Sequence, residues 1–321
     1  MEMATANIYA HFRELVESHQ SAVRVHCYRM LGSLQDAEDL TQEKLLRAWR
    51  NLDRYAGRGS VRGWLYRIAT NACLDELQHR HRRLLPVMLG EPRTTFVPSE
   101  PVPAETPWLE PLPDSWVELV DTAPGPEARY EAKESIELAF VAALQRLGPR
   151  QRAILILRDV LGWSAREVAE LLETSVVAVN SSLQRARASL ETPERKITRL
   201  GDGEERALVE RYVRAWEQGD DHAFAALLKD DAILSMPPLP EWYVGRAAIL
   251  EFFRLAIGPM AVGPYRLLPT RANNALAFGV YMAGQPLVLS VVEADADGIS
   301  QVTSFMHPHL FSRFGLPAQL D

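Results

Sequence analysis

Between Leu147 and Leu190 the apolar positions recur at helical steps, interrupted by two short breaks. Ser164 stands before one apolar run with Glu167 three residues on, the capping-box spacing that starts a helix. Val168, Leu171 and Leu172 give that helix one buried side. Glu173-Thr174-Ser175 makes a break. Val176, Val179, Leu183, Ala186 and Leu190 then form a single apolar stripe. The opposite face carries Val177, Ser181, Gln184, Arg185 and Ala188, with Asn180 on its flank. A short helix joined tightly to a longer one with a small-polar and arginine face predicts a major-groove reader. A helical hairpin with a solvated outer face fits the same spacing.

Upstream, Ile8, Phe12, Leu15, Val16, His19, Val23, Cys27 and Met30 predict a helix over 7–31, closed by Gly32. Ser33 can cap the next helix, which runs to about Leu52. Its first turn is acidic and its later turns carry Lys44, Arg47 and Arg50, the order the helix dipole favours. Its apolar positions spread wider than one core stripe needs. Leu40, Leu46 and Trp49 therefore serve either the core alone or the core and a partner. After the loop DRYAGRGS, a helix over about 61–83 interleaves Trp64 and Tyr66 with Arg62 and Arg67. Seven arginines lie in residues 54–83. Arginines for phosphates, aromatics for stacking and a glycine-bearing loop suit single-stranded or melting DNA better than closed duplex. Taken singly, Trp64 and Tyr66 also fit a core.

Residues 86–126 break the periodicity, with ten of the chain's 21 prolines. They predict an extended acidic linker, anchored at Phe96, Trp108 and Trp116, that is either a passive tether or a strand laid in a positively charged channel. A helix from Pro126 to Gly148 follows, and residues 191–203 predict a hinge. Beyond Glu204 the pattern changes to three helices and then strand-like runs at 265–270, 275–281, 286–293 and 299–305, after a first strand at 230–236. Helices followed by a meander predict an α+β domain with a curved antiparallel sheet.

Charge divides along the same lines. Residues 1–85 carry 13 basic and 10 acidic side chains, and 127–200 carry 12 and 10. The linker carries 1 and 7, and 201–321 carry 9 and 15. The nucleic-acid candidates are the two mildly basic segments, within a net charge of −7. Cys27 and Cys73 lack metal-ligand spacing and predict buried thiols in a reducing cytoplasm. No signal-type segment or membrane-length apolar run is present, so a cytoplasmic protein without a membrane partner is expected.

At DAEDLTQEKLLRAW, GSVRGWLYRIATNACLDEL and the 147–190 stretch, the chain resembles bacterial sigma-70-type initiation factors of the extracytoplasmic-function (ECF) group. The resemblance implies two all-α domains: region 2 over 1–85 and region 4, a helix-turn-helix, over 127–195, joined by the linker 86–126. It implies docking on the β′ clamp helices of RNA polymerase core through Asp39, Leu40, Gln42, Leu46 and Trp49, with the β flap as a further contact. It implies reading of the promoter −10 element by Arg58, Ser60, Arg67 and Asn71. The −35 element falls to Asn180, Ser181, Gln184, Arg185 and Arg187, of which Arg185 suits a guanine edge and Arg187 a phosphate. The family often has Arg-Ser-Arg where this chain has Asn180-Ser181-Ser182, which leaves out two cations. RYVRAWEQGDDHAFAALLKDDAILSMPP and WYVGRAAILEFF in residues 204–321 resemble SnoaL-like domains, cone-shaped α+β barrels with a pocket, here expected near Trp242 and Tyr243.

The expectation is a promoter-recognition subunit with no catalytic centre, metal or cofactor, whose partners are polymerase core and promoter DNA. The tail serves as a regulatory scaffold, a sensor of a small ligand, or a docking module for an anti-sigma factor. Asp231 or His307 as acid/base in the tail is the enzymatic alternative. A stand-alone helix-turn-helix regulator with a ligand-sensing tail is the alternative for the whole chain.

Overall fold

A computed structural model describes residues 19–43, 60–79, 82–96, 106–118, 135–190, 200–258 and 264–321, with the backbone of 44–50. The chain forms two compact units, one of Met1–Arg83 with Leu109–Pro193 and one of Leu84–Trp108 with Glu194–Asp321. The proline-rich segment is thus divided: its first part belongs with the tail domain and its last part with the helical domains.

In the helical unit, residues 19–31 form α1, followed by α2 (Leu34–Arg50) and α3 (Val61–His79). From Val25 to Leu31 every residue of α1 is buried, so this helix is enclosed by others on all sides. Gly32 ends it at φ +70°, and a Cβ there would lie 2.7 Å from Leu109, so the position needs glycine for both conformation and space. The Ser33 hydroxyl accepts from the Asp36 amide at 3.2 Å and caps α2, as its spacing predicts. The return of the chain adds α4 (Ser115–Glu118), whose Trp116 lies under the Arg24 guanidinium at 3.8 Å. Then come α5 (Leu138–Gln145) and α6 (Pro149–Leu155), the latter continuing through a π-helical turn to Val160. The described part of the helix expected from Pro126 begins at Leu138, after a turn at Ser135-Ile136. The helix-turn-helix is α7 (Ala165–Leu171) and α8 (Val176–Leu190).

The tail opens with α9 (Asp202–Gln218), closed by the left-handed Gly219, and the short α10 (Asp221–Ala225), capped by Asp220. Six strands follow: β1 (Leu228–Ser235), β2 (Trp242–Val244), β3 (Tyr265–Ala272), β4 (Ala275–Met282), β5 (Gln285–Asp295) and β6 (Gly298–Phe305). Between β2 and β3 lies α11 (Arg246–Phe252), and α12 (Leu310–Arg313) follows β6. The sheet order is β2-β1-β6-β5-β4-β3, and β1 runs parallel to β6. The sheet is therefore mixed, not antiparallel as expected. The chain leaves β1 through β2 and α11 and re-enters at the far edge. Its meander then works back until β6 meets the open side of β1 in the same direction. Strand β2 lies within a stretch that reads as a proline-rich loop, because Pro237, Pro238 and Pro240 mask three residues of strand.

The tail's interior is packed with its own aromatic rings. Tyr212 stacks on Phe278 at 4.6 Å, and Phe253 meets Phe224 at 4.4 Å and Trp216 at 4.9 Å.

Candidate nucleic-acid interface

The helix-turn-helix is built by local hydrogen bonds. Ser164 Oγ accepts from the Glu167 amide at 3.2 Å, and the Glu167 carboxylate accepts from the Ser164 amide at 2.7 Å. Glu173 takes φ +51° in the turn, and Ser175 Oγ caps α8 by accepting from the Ala178 amide at 3.1 Å. Val179, Ser182, Leu183 and Ala186 form the buried side of α8. One position departs from the sequence expectation: Val176 is exposed although the stripe includes it, while Ser182, outside the stripe, is buried. The inward face is centred between the steps 179-183-186 and their i+3 neighbours, a rotation the one-dimensional stripe does not fix.

Val177, Asn180, Gln184, Arg185 and Arg187 are exposed and Ser181 is half-buried. The two arginines differ. No described residue pairs with the Arg185 guanidinium. Arg187 makes a bidentate pair with Asp159, at 2.9 and 2.7 Å. In this arrangement the Arg187 fork is held by a carboxylate from the π-helical turn.

The face expected to read the −10 element is differently placed. Ser60 Oγ accepts from the Gly63 amide at 3.0 Å and caps α3. Arg67 donates to the Glu170 carbonyl of α7 at 3.0 Å. Tyr66 meets Trp163 edge to face at 5.5 Å, and Arg62 sits over both rings at 5.7 and 5.9 Å. Ser60, Arg62, Trp64 and Arg67 together with Trp163 and Glu170 line a cavity of about 400 Å³. Asn71 is exposed on α3. Tyr66 is buried, which settles its role as core; Arg58 lies outside the described residues. Within this unit, then, α7 and the loop before it cover part of the α3 face.

Below that contact lies a polar core. Arg152 is 1% exposed; its guanidinium donates to the Met30 carbonyl, to Gln145 Oε1 at 2.7 Å and to the Gln145 and Leu147 carbonyls at 3.2 and 3.3 Å. Arg29 donates to Ser135 O at 3.2 Å and Oγ at 2.7 Å. Their acceptors are all neutral, and burial lowers both guanidinium pKa values to about 10. His26 Nε2 lies 2.9 Å from Thr70 Oγ1, joining α1 to α3. Burial, with the Arg29 charge adding to it, lowers the His26 pKa to about 3. Sequence reasoning passed over these three side chains. Arg152 alone left a trace, as a cation among the apolar positions of PRQRAIL.

On α2, Asp39 and Gln42 are exposed, but Leu40 is 8% exposed and packs in the core. This corrects its assignment to a partner surface. The side chains of Leu46 and Trp49 lie outside the described residues.

In the tail, Tyr243 is buried against Phe252 at 5.0 Å, and Trp242 Nε1 donates to the Gly90 carbonyl at 2.9 Å. Arg93 pairs with the β2 edge: its amide donates to Trp242 O at 2.8 Å and its carbonyl accepts from Val244 at 3.1 Å. Phe96 completes this docking through its amide, which donates to Glu251 at 3.0 Å, and its ring, 6.1 Å from Phe252. An apolar recess of about 340 Å³ lies elsewhere, lined by Trp216, Phe224, Phe253 and Tyr265 with the Asp221–Arg254 ion pair. Among the described residues, no His, Cys, Asp or Glu cluster is arranged to hold a metal ion, and no helix is long and apolar enough to cross a membrane.

Three family descriptions match in order: Sigma-70 region 2 over 15–83, Sigma-70 region 4 over 137–190 and a SnoaL-like domain over 209–297. The chain is 43% identical over 317 residues to the ECF RNA polymerase sigma factor SigG of Mycobacterium tuberculosis, covering 96% of this chain and 85% of that one. It is 30% identical over 218 residues to SigJ of the same species, covering 67% of this chain and 62% of that one. The crystal structure of SigJ aligns over 96% of this chain and 99% of that one with a TM-score of 0.58 at 22% identity, a likeness of fold. With both DNA-reading regions and the tail matched in order, the chain belongs to the ECF sigma factors, the RNA polymerase subunits that direct promoter recognition and transcription initiation.

Proposed function

We propose that this sigma factor reads the −35 element with the outward face of α8, chiefly Asn180, Ser181, Gln184 and Arg185, and the −10 element with Arg58, Arg67 and Asn71. It works in the cytoplasm and has no catalytic centre of its own. Binding energy from the two contacts is spent on melting, while polymerase carries out the chemistry. Asp39 and Gln42 on the exposed side of α2, with Leu46 and Trp49, are the contacts for the β′ clamp helices. The observation that carries the reading is the exposed Arg185, without a guanidinium partner among the described residues, on a doubly capped helix-turn-helix. In vitro transcription with the host's core enzyme and a randomised promoter library tests it. The expected result is a pair of enriched hexamer-like blocks about two helical turns apart. Enrichment of no sequence, or failure of the chain to bind core, would sink it.

The tail, in this reading, is regulatory. The tail holds residues 90–96 of the linker, through backbone pairing of Arg93 with β2 and side-chain hydrogen bonds of Trp242 with Gly90 and of Glu251 with Phe96, so linker residues cannot both stay there and run into the polymerase cleft. The compact and polymerase-ready arrangements then compete, and the tail sets the balance. Deleting residues 204–321 should change promoter activity or core affinity; unchanged values of both exclude this role. The aromatic recess favours a second role, binding of a small apolar ligand or of an anti-sigma partner, and tryptophan fluorescence of Trp216 reads it directly.

A further inference from the structure

Helix α8 begins with two adjacent apolar side chains in the open. Val176 is 42% exposed and Val177 74%, the latter more than any other large apolar side chain among the described residues. Neither is needed for the local fold. The start of α8 is fixed by Ser175 and by the turn at Glu173.

The placement of Val177 is specific. From it, steps of four, three and four lead to Ser181, Gln184 and Ala188, so it is the first member of the outward stripe. The N-terminal residues of a recognition helix are the ones that reach base edges in the major groove. Valine has a stiff χ1, so its methyl groups are presented in a set direction. The one apolar feature on a major-groove edge is the C5-methyl group of thymine. Ser182 is buried, and the remaining groove-facing side chains are mostly small and polar, which leaves Val177 as the principal apolar probe on that face.

We propose that Val177, flanked by Val176, is a specificity residue that reads the C5-methyl of a thymine in the −35 element. The proposal rests on the assignment of α8 to the −35 reader. It adds a contact that involves neither a charge nor a hydrogen bond.

Replacing thymine by deoxyuridine tests it, since this removes only the methyl group and keeps the hydrogen-bonding edge. A promoter selected with the full chain and host core is resynthesised with each −35 thymine, on either strand, changed in turn. The wild-type holoenzyme should lose about three- to ten-fold in open-complex formation at one thymine, in keeping with an apolar base-edge contact. Val177→Ala should lose a similar factor on the unmodified promoter and become indifferent to deoxyuridine at that thymine. Its core affinity should be unchanged, and the exposed site and higher helix propensity of alanine keep the variant folded. The proposal is overturned if no −35 thymine is methyl-sensitive, or if Val177→Ala keeps the full sensitivity. It is also overturned if Val177→Ala lowers core affinity instead, which would make the valine pair a polymerase contact. Arg185→Ala on the same promoter separates the two levels. Undiminished −35-dependent transcription in that variant would remove the −35 assignment itself, whereas loss there with no methyl effect removes only the thymine contact.

Discussion

The two helices proposed to read DNA, α8 and α3, differ in what touches them. On α8 the proposed reading face is open, with Val177 and Arg185 exposed and no described residue paired with the Arg185 guanidinium. On α3 the corresponding face is partly covered, since Arg67 is bound to the Glu170 carbonyl and Tyr66 and Arg62 are packed against Trp163. The covering residues come from region 4 itself, Glu170 on α7 and Trp163 just before it. On the proposed assignment, duplex recognition needs no rearrangement of α8, whereas capture of an unstacked −10 base by the α3 face needs region 4 to withdraw. On that assignment, −10 reading is coupled to the separation of the two regions, which core binding would drive.

The contrast can be broken at the polar core that joins the regions. Arg152→Ala leaves four acceptors from α1, α5 and the following turn unpaired, and should cost about 3 kcal/mol or more in urea unfolding. A loss below about 1 kcal/mol would mean the regions part without it. On the open side, Arg185→Ala should reduce −35-dependent transcription by about ten- to a hundred-fold, the range of one bidentate base contact. Arg187→Ala should cost less, because Asp159 already holds its guanidinium. Equal losses from the two would show that the Asp159 pair dissolves on DNA.

Acid distinguishes the regions as well. His26 is neutral in the fold down to about pH 3 but protonates near pH 6.5 when unfolded. Its folded pKa is depressed, so its contribution is complete above pH 6.5 and declines as pH falls from there. Stability should be about 2 kcal/mol lower at pH 5 than at pH 7. Residues 135–190 contain no histidine, so hydrogen exchange at pH 5 should show lost protection in α1 and α3 before α6 to α8. His26→Leu should flatten the profile. The smallest expected effect is that of Trp163→Ala. It uncovers the α3 face from the region 4 side and should raise affinity of the free chain for a fluorescein-labelled single strand by about three-fold. Unchanged affinity in a folded variant would show that Trp163 does not obstruct the face.

Much of the fold was legible in the chain because it rests on short-range chemistry. Ser33, Ser164 and Glu167 announce their helices through hydrogen bonds spanning three residues, and Gly219 ends α9 through its own backbone freedom. The strand runs and the DNA-reading stretches were placed by periodicity and motif. The site was legible at the level of the helix and not of the side chain. Nothing near Arg187 in sequence announces Asp159, 28 residues earlier, and nothing near Trp242 announces Gly90, 152 residues earlier.

The sequence by itself determined three family segments and their order, the capped helix starts at Ser33 and Ser164, and the exposed positions of α8 from Val177 to Ala188. These depend on neighbours three or four residues apart, where backbone geometry fixes who meets whom. Tertiary structure alone decided that Leu40 and Ser182 face inward, that Arg152 is buried among carbonyls, and that β1 lies parallel to β6. It alone decided that the linker's first half pairs with the tail. Each of these depends on partners brought together by chain closure, and burial of a given side chain is set by how whole elements pack rather than by its own chemistry.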